Sequence, residues 1–184
     1  IYSSYFWKSF FNNNGGAKKL LKRSPFYGFI KCSRYNLHRR RKIKDVARSM
    51  SRPTNYSGEK KALIIGWYGT ETLGDKAILG GVLDSLPPMA ENSGVDLATL
   101  YKPVSVNTKS QMPELSGVSV FSIDDAYRRL AEGRYSLVVF GGGPLMAINV
   151  LPDMEKFAVM ARKMGIPFAL AGCGVGPLGK NCHN

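Results

Sequence analysis

The chain has few of the residues that build disulfide-rich or zinc-binding proteins. Its 184 residues contain three cysteines and two histidines, without a Cys-x-x-Cys pair or any metal-ligand spacing. This scatter argues against a disulfide framework and a zinc site, and it favours a reducing, cytoplasmic compartment. The sequence also lacks an apolar run of the roughly 18 to 20 residues that a membrane-spanning helix needs.

A secretory signal is also missing from the amino-terminal stretch, which has no continuous apolar segment followed by a small-residue cleavage site. The first residue is Ile1 rather than Met. We therefore expect the chain to be a fragment of a longer protein.

Acidic residues are nearly absent from residues 1–59. This segment holds 14 Lys and Arg against two acids, Asp45 and Glu59, whereas residues 60–184 hold 12 bases and 11 acids. The formal charge of +13 thus belongs almost entirely to the amino-terminal segment. We predict a basic extension over 1–59, partly helical or disordered, followed by an ordinary domain over 60–184.

The extension combines its cations with aromatic residues, as in IYSSYFWKSFF at 1–11. Aromatic rings beside Lys and Arg suit a segment that lies on an anionic membrane surface. The same composition would serve a basic arm on nucleic acid, which is the less favoured alternative. An uncut leader or a partly disordered extension that contacts nothing in particular is an alternative of equal standing to the membrane surface. Glycine- and proline-containing stretches such as SPFYG at 24–28 are interpreted as breaks.

From Lys60 onward, short apolar runs alternate with amphipathic stretches. Strands are predicted at 62–67, 95–101, 118–123, 136–143 and 167–177, and helices at 74–86, 123–133 and 153–165. Because continuous apolar strands need cover on both faces, the pattern predicts a doubly wound, mainly parallel Rossmann-like α/β sheet. Three of the strands run into glycine-rich loops at the carboxyl edge, where such sheets bind ligands.

The first of these loops lies in GWYGTETLGDKAILGG at 66–81. Its glycine spacing matches neither the GxGxxG dinucleotide fingerprint nor a P-loop. Glu71 and Asp75 would repel a phosphate but would accept hydrogen bonds from sugar hydroxyls, so we expect a hydroxylated ligand here. The structural alternative is that Thr72 caps the following helix with Asp75 three residues on.

The second loop, Gly141, Gly142 and Gly143, contains no acid and could approach a pyruvyl or phosphate group closely, or could be only a tight turn. The third loop, GCGVGP at 172–177, contains Cys173, which we expect to pack as a small apolar group. A reactive thiol there would need a depressed pKa.

Taken together, these three loops resemble the polysaccharide pyruvyl transferase family. The likeness rests on Tyr68-Gly69, on Gly74-Asp75 leading into Ala77-Ile78-Leu79, on VVFGGGPLM, and on GCGVGP. It covers residues 62–178. The chain departs from the family at Lys76, Pro144 and Cys173, and its spacer from Thr70 to Leu73 lacks the family's asparagine.

The resemblance implies one Rossmann-like half of a GT-B-like, two-domain enzyme of glycan biosynthesis. Such an enzyme transfers a pyruvyl group from phosphoenolpyruvate to sugar hydroxyls as a ketal. It implies no cofactor or metal, a glycan or lipid-linked saccharide as acceptor, and a missing carboxyl-terminal domain that carries most of the catalytic groups. The alternatives are another GT-B-like glycosyltransferase and a non-catalytic scaffold that carries the basic arm.

Asp75 and Glu71 are then candidate catalytic residues. The candidate substrate-binding residues share the three loops, and they are Tyr68, Gly69, Thr70, Gly74, Gly141, Gly142, Gly143, Gly174 and Gly176.

Overall fold

The computed structural model describes residues 25–50, 56–68, 73–86, 94–99, 108–143 and 150–174. Within them lie five strands: β1 Lys61–Gly66, β2 Val95–Thr99, β3 Ser119–Ser122, β4 Tyr135–Gly141 and β5 Phe168–Ala171. The longer α-helices among the described residues are α1 Pro25–Met50, α2 Leu73–Asp84, α3 Ile123–Ala131 and α4 Leu151–Lys163, and residues 108–111 form one further helical turn. A short 3-10 helix spans Pro113–Leu115.

The strands form one sheet in the order β3-β2-β1-β4-β5. All four neighbouring pairs are parallel. β1 lies at the centre, and its Ile64 is aligned with Leu97 on one side and Val139 on the other. Two strands therefore lie on each side of β1. The parallel sheet, with helices packed on it, confirms the predicted Rossmann-like α/β fold.

Two apolar cores cover the two faces of this sheet. Successive side chains of a strand point to opposite faces, so Leu63 and Ile65 enter one core, and Ala62 and Ile64 enter the other. The first core is closed by α1, α3 and α4, and the second by α2 and the 3-10 helix. Cover on both faces explains why β1 is apolar along nearly its whole length.

Local signals set the helix ends where the sequence predicts them. The Ser122 side chain accepts a hydrogen bond from the backbone N–H of Asp125 and so caps the start of α3. Gly133 and Gly165 follow α3 and α4 with φ of 80° and 68°, in the left-handed region that ends helices.

The apolar face predicted for α2 is confirmed in part. Helical spacing puts Leu79, Val82 and Leu83 on that face, and these are the buried residues of the helix. Ala77, predicted on the same face, is exposed. The larger leucine and valine side chains bury more apolar surface than alanine does.

The strand β5 also departs from expectation, because it is not buried. Phe168 and Leu170 are 45% and 60% exposed. Among the described strands β5 pairs only with β4, so it lies at the edge of the sheet, where a continuous apolar run does not guarantee cover.

The basic segment contains a continuous helix. α1 begins at Pro25, so the predicted break at SPFYG is wrong. Proline is favoured in the first turn of a helix, where its missing N–H costs nothing. Val46 of this helix is fully buried in the first core, so α1 packs on the sheet domain.

Cys32 in α1 is disulfide-bonded, whereas Cys173 is a free thiol. The expectation of no disulfide is therefore wrong at Cys32. The inference of a reducing compartment, which depended on unpaired cysteines, loses that support.

Candidate functional site

The loops that follow β1, β4 and β5 meet at the carboxyl edge of the sheet. The backbone N–H of Trp67 donates to the Gly142 carbonyl at 3.4 Å, and the N–H of Gly174 donates to the Gly143 carbonyl at 2.9 Å. Because β1, β4 and β5 are adjacent in the sheet, three stretches far apart in sequence form one continuous surface. This surface, comprising Trp67–Tyr68, Gly74–Asp75, Gly141–Gly143 and Gly172–Gly174, is called the glycine edge below.

The ring of Tyr68 lies beneath the glycine edge and is only 1% exposed. A Cβ at Gly142 would lie 2.6 Å from the Tyr68 Cε1 atom, and one at Gly141 would lie 2.8 Å from the Tyr68 hydroxyl oxygen. A Cβ at Gly66 would also collide with this ring. These glycines are therefore required for the backbone to close over a tyrosine.

Positive φ angles give a second reason for glycine in these loops. Gly142, Gly143 and Gly172 have φ of 73°, 68° and 64°, which L-residues with side chains adopt at a cost. The turn alternative for the Gly141–Gly143 run thus has a physical basis in the structure. It does not exclude a ligand, since a glycine backbone also lets one approach closely.

The Tyr68 hydroxyl is buried and makes no hydrogen bond to any residue that the structure describes. Burial raises the pKa of Tyr68 far above its ordinary value, and electrostatic interactions with the neighbouring Cys173 and Asp75 raise the pKa further. The hydroxyl is therefore neutral at physiological pH. From its position under the loop, Tyr68 shapes the glycine edge.

Asp75 lies in the first turn of α2 and is partly exposed. Its Oδ1 atom would be 3.5 Å from a Cβ placed at Gly143, so this carboxylate stands beside the second glycine loop. Gly74 is exposed with open space around it. The structure thus brings together Gly74, Asp75 and Gly143, which the sequence separates by almost 70 positions.

Cys173 packs against the first core, as predicted. Its Sγ donates a hydrogen bond to the Phe140 carbonyl at 2.9 Å. Burial raises the pKa of this thiol, and a backbone hydrogen bond at Ala171 offsets only part of the effect. A raised pKa keeps the thiol protonated, which is the opposite of what a nucleophilic cysteine needs.

Several predicted site residues lie outside the described residues: Gly69, Thr70, Glu71, the proposed cap Thr72, and Gly176. Their roles stay predictions. Within the described residues, no group of three or more His, Cys, Asp and Glu side chains is placed to hold a metal ion.

A polar cluster that the sequence did not predict lies at the opposite, amino-terminal edge of the sheet. Asp96 of β2 is fully buried, and it accepts hydrogen bonds from Tyr135 at 3.0 Å, Arg129 at 3.2 Å and Lys61 at 3.3 Å. Two cations and a hydroxyl thus compensate the buried carboxylate. Its only signal in the sequence is an acid inside the strand VDLAT.

Comparison with known proteins adds no identification. No family model, no curated protein and no solved structure matches the chain.

Proposed function

We propose that the chain is the acceptor-binding, Rossmann-like half of a GT-B-like pyruvyl transferase that acts on a glycan. The observation that supports this best is the contact between three loops, after β1, β4 and β5, on which the resemblance to that family rests. Adjacent strands place those loops at the edge where parallel α/β sheets bind ligands.

Asp75 is the residue we propose to meet the acceptor. It is partly exposed beside Gly143 and next to the open Gly74, and a carboxylate accepts hydrogen bonds from sugar hydroxyls. As the hydroxyl attacks, the same carboxylate can hold or remove its proton. Glu71 is the second candidate for this role, and Tyr68 supports the loop from below.

The reaction needs further groups. The methylene carbon of phosphoenolpyruvate takes a proton from a general acid, and one sugar hydroxyl attacks the resulting cationic carbon and loses its proton to a base. Inorganic phosphate then leaves with the electrons of its C–O bond, and the second hydroxyl attacks the new cationic carbon and loses its proton, which closes the ketal. In our proposal a second domain supplies the general acid and the cations that hold the donor. The charged side chain of the glycine edge, as described, is the carboxylate of Asp75, which would repel an anionic donor. In this proposal the cytoplasmic location is inferred from the donor, phosphoenolpyruvate, and no longer from the number of unpaired cysteines.

Sugar binding by the chain itself tests the acceptor assignment. Saturation-transfer NMR with a panel of neutral oligosaccharides is expected to show binding that Asp75→Asn weakens about tenfold, the loss of one charge-assisted hydrogen bond. Asp124→Asn is the matched control, since Asp124 is also an acid in the first turn of a helix. Equal weakening in both variants, or no binding to any sugar, would contradict the assignment.

The transfer reaction is tested on the product of the complete coding sequence. Phosphate release that depends on both phosphoenolpyruvate and a glycan, with a ketal in the product, is expected. The chain of 184 residues alone is expected to be inactive. Release of a nucleoside diphosphate from a nucleotide sugar would instead identify a glycosyltransferase.

A further inference from the structure

The helix α1 is fixed to the sheet domain by one of its faces. Arg39 forms a bidentate ion pair with Glu155 of α4, with distances of 2.6 and 2.5 Å, and Lys42 pairs with Asp153 at 2.5 Å. Val46 is fully buried on the same side. Residues 39, 42 and 46 are three and four positions apart, so they share one face of the helix.

The opposite face of α1 is exposed and carries a regular pattern. Five residues lie along it at spacings of three and four, and we call them the outer stripe: Ile30, Arg34, Leu37, Arg41 and Lys44. Ile30 and Leu37 are 38% and 53% exposed, and they are two of the five large apolar side chains exposed among the described residues. Apolar and cationic side chains therefore share one outward surface.

The helix as a whole is strongly basic. It contains eight Lys and Arg and one acid, Asp45. Two of the eight, Arg39 and Lys42, are paired with acids of α4. The cations of the outer stripe extend from the side that faces away from those acids.

We propose that the outer stripe binds the surface of an anionic bilayer, with α1 parallel to the membrane plane. Ile30 and Leu37 would enter the boundary between headgroups and acyl chains, while Arg34, Arg41 and Lys44 reach the lipid phosphates. Because the docking face is on the other side of the helix, the sheet domain stays attached during binding. This proposal does not depend on the function proposed for the glycine edge.

The apolar members of the stripe favour a bilayer over nucleic acid. The phosphate backbone of a nucleic acid binds the cations of the stripe but leaves its leucine and isoleucine side chains in water. The interface of an anionic bilayer offers both a negatively charged surface and an apolar layer. The surface mode is also consistent with the helices themselves, since none among the described residues is long and apolar enough to cross a bilayer.

Vesicle flotation with the full chain tests the proposal. Binding is expected to vesicles of phosphatidylcholine with about 30% phosphatidylserine, to fall with salt, and to be at least tenfold weaker with phosphatidylcholine alone. Arg34→Gln with Arg41→Gln is expected to weaken binding at least tenfold, about fivefold for each cation. Ile30→Ser with Leu37→Ser is expected to weaken it severalfold with no change in charge.

The matched control removes two exposed cations elsewhere. Arg162→Gln with Lys163→Gln, at the end of α4, is expected to keep near-normal binding, and circular dichroism checks that each variant is folded. Wild-type binding by both stripe variants would overturn the proposal by assigning the membrane affinity to residues 1–24. Tighter binding to an oligonucleotide than to anionic vesicles, insensitive to the serine substitutions, would overturn it in favour of nucleic acid.

Discussion

At the scale of single residues, the glycines at the carboxyl edge of the sheet have a packing role. The backbone of Gly141 and Gly142 lies against the Tyr68 ring, too close for any Cβ to fit without movement. Gly142 combines this contact with a positive φ. The energetic cost of a side chain at this position can therefore be separated from any effect on ligand binding.

We expect Gly142→Ala to lower the free energy of unfolding by about 1–3 kcal/mol, because strain at positive φ adds to the collision with Tyr68. Gly81→Ala is the control, since Gly81 lies in α2 with nothing within 4 Å of its Cβ position. That change is expected to stabilise by about 0.5–1 kcal/mol, the usual gain from alanine in a helix. Urea denaturation measures both, and equal effects would refute the packing role.

The unpartnered hydroxyl of Tyr68 gives a second prediction. Removing a buried, unsatisfied polar group is neutral or stabilising, so Tyr68→Phe is expected to change stability at pH 7 by about 0 to +1 kcal/mol. Tyr56→Phe is the control, and it is expected to lower stability instead. The Tyr56 hydroxyl donates to the Glu59 carbonyl at 3.1 Å, and losing this hydrogen bond is expected to cost about 0.5 kcal/mol. A clear loss of stability in Tyr68→Phe would mean that the hydroxyl has a partner.

Alkaline pH supplies a further check on the same tyrosine. Burial raises the pKa of both Tyr68 and Tyr135 in the folded chain, so the folded state keeps protons that the unfolded state releases above about pH 10. Stability is therefore fully present below that pH and falls as pH rises through it. Urea midpoints measured between about pH 8 and 11 should fall less steeply in Tyr68→Phe than in the wild type.

At the scale of elements, the helix α1 joins the basic segment to the sheet domain. Its inner face contributes Val46 to the first core and two cations to the acids of α4. The outer stripe is left free for an external surface. The boundary at residue 59 therefore separates a strongly basic segment from a nearly neutral one, but α1, which precedes the boundary, packs on the domain that follows it.

Val46→Ala is expected to lower the free energy of unfolding by about 1.5–3 kcal/mol, since two methyl groups leave a fully buried site. Leu37→Ala, on the exposed face of the same helix, is expected to change it by no more than about 0.5 kcal/mol. Thermal and urea unfolding provide the measurement. If the two substitutions had the same small effect, α1 would not be part of the cooperative unit.

At the scale of the whole molecule, the sheet of the described residues ends at β5 with apolar side chains in solvent. Phe168 and Leu170 are 45% and 60% exposed, and Phe168 contacts Phe140 in an edge-on geometry with ring centroids 6.2 Å apart. An exposed apolar edge strand is a template for pairing with another chain. The 184-residue chain is therefore expected to associate through this edge.

Leu170→Lys places a charge on the edge and is expected to reduce association at least severalfold, as measured by sedimentation velocity at increasing protein concentration. Leu73→Lys is the control, because Leu73 is also an exposed leucine but lies at the start of α2. Loss of association in the control as well would point to general charge repulsion instead of the β5 edge.

The sequence by itself determined the five strands of the described region, the helices α2, α3 and α4, and the glycines that follow α3 and α4, but not the continuous helix α1. Apolar runs such as ALIIG, amphipathic helices and glycines after helices are local signals, which act through neighbours three or four positions away. They were sufficient for a parallel α/β sheet and for the packed Cys173.

Only the tertiary structure decided which side chains are covered. The burial of Tyr68 depends on Gly141 and Gly142, the satisfaction of Asp96 depends on Arg129 and Tyr135, and the exposure of Leu170 depends on its place at the sheet edge. Each of these depends on partners more than 30 positions away, or on a missing neighbour, and no local pattern contains that information. The docking of α1 on α4 has the same origin, because it pairs residues more than 100 positions apart.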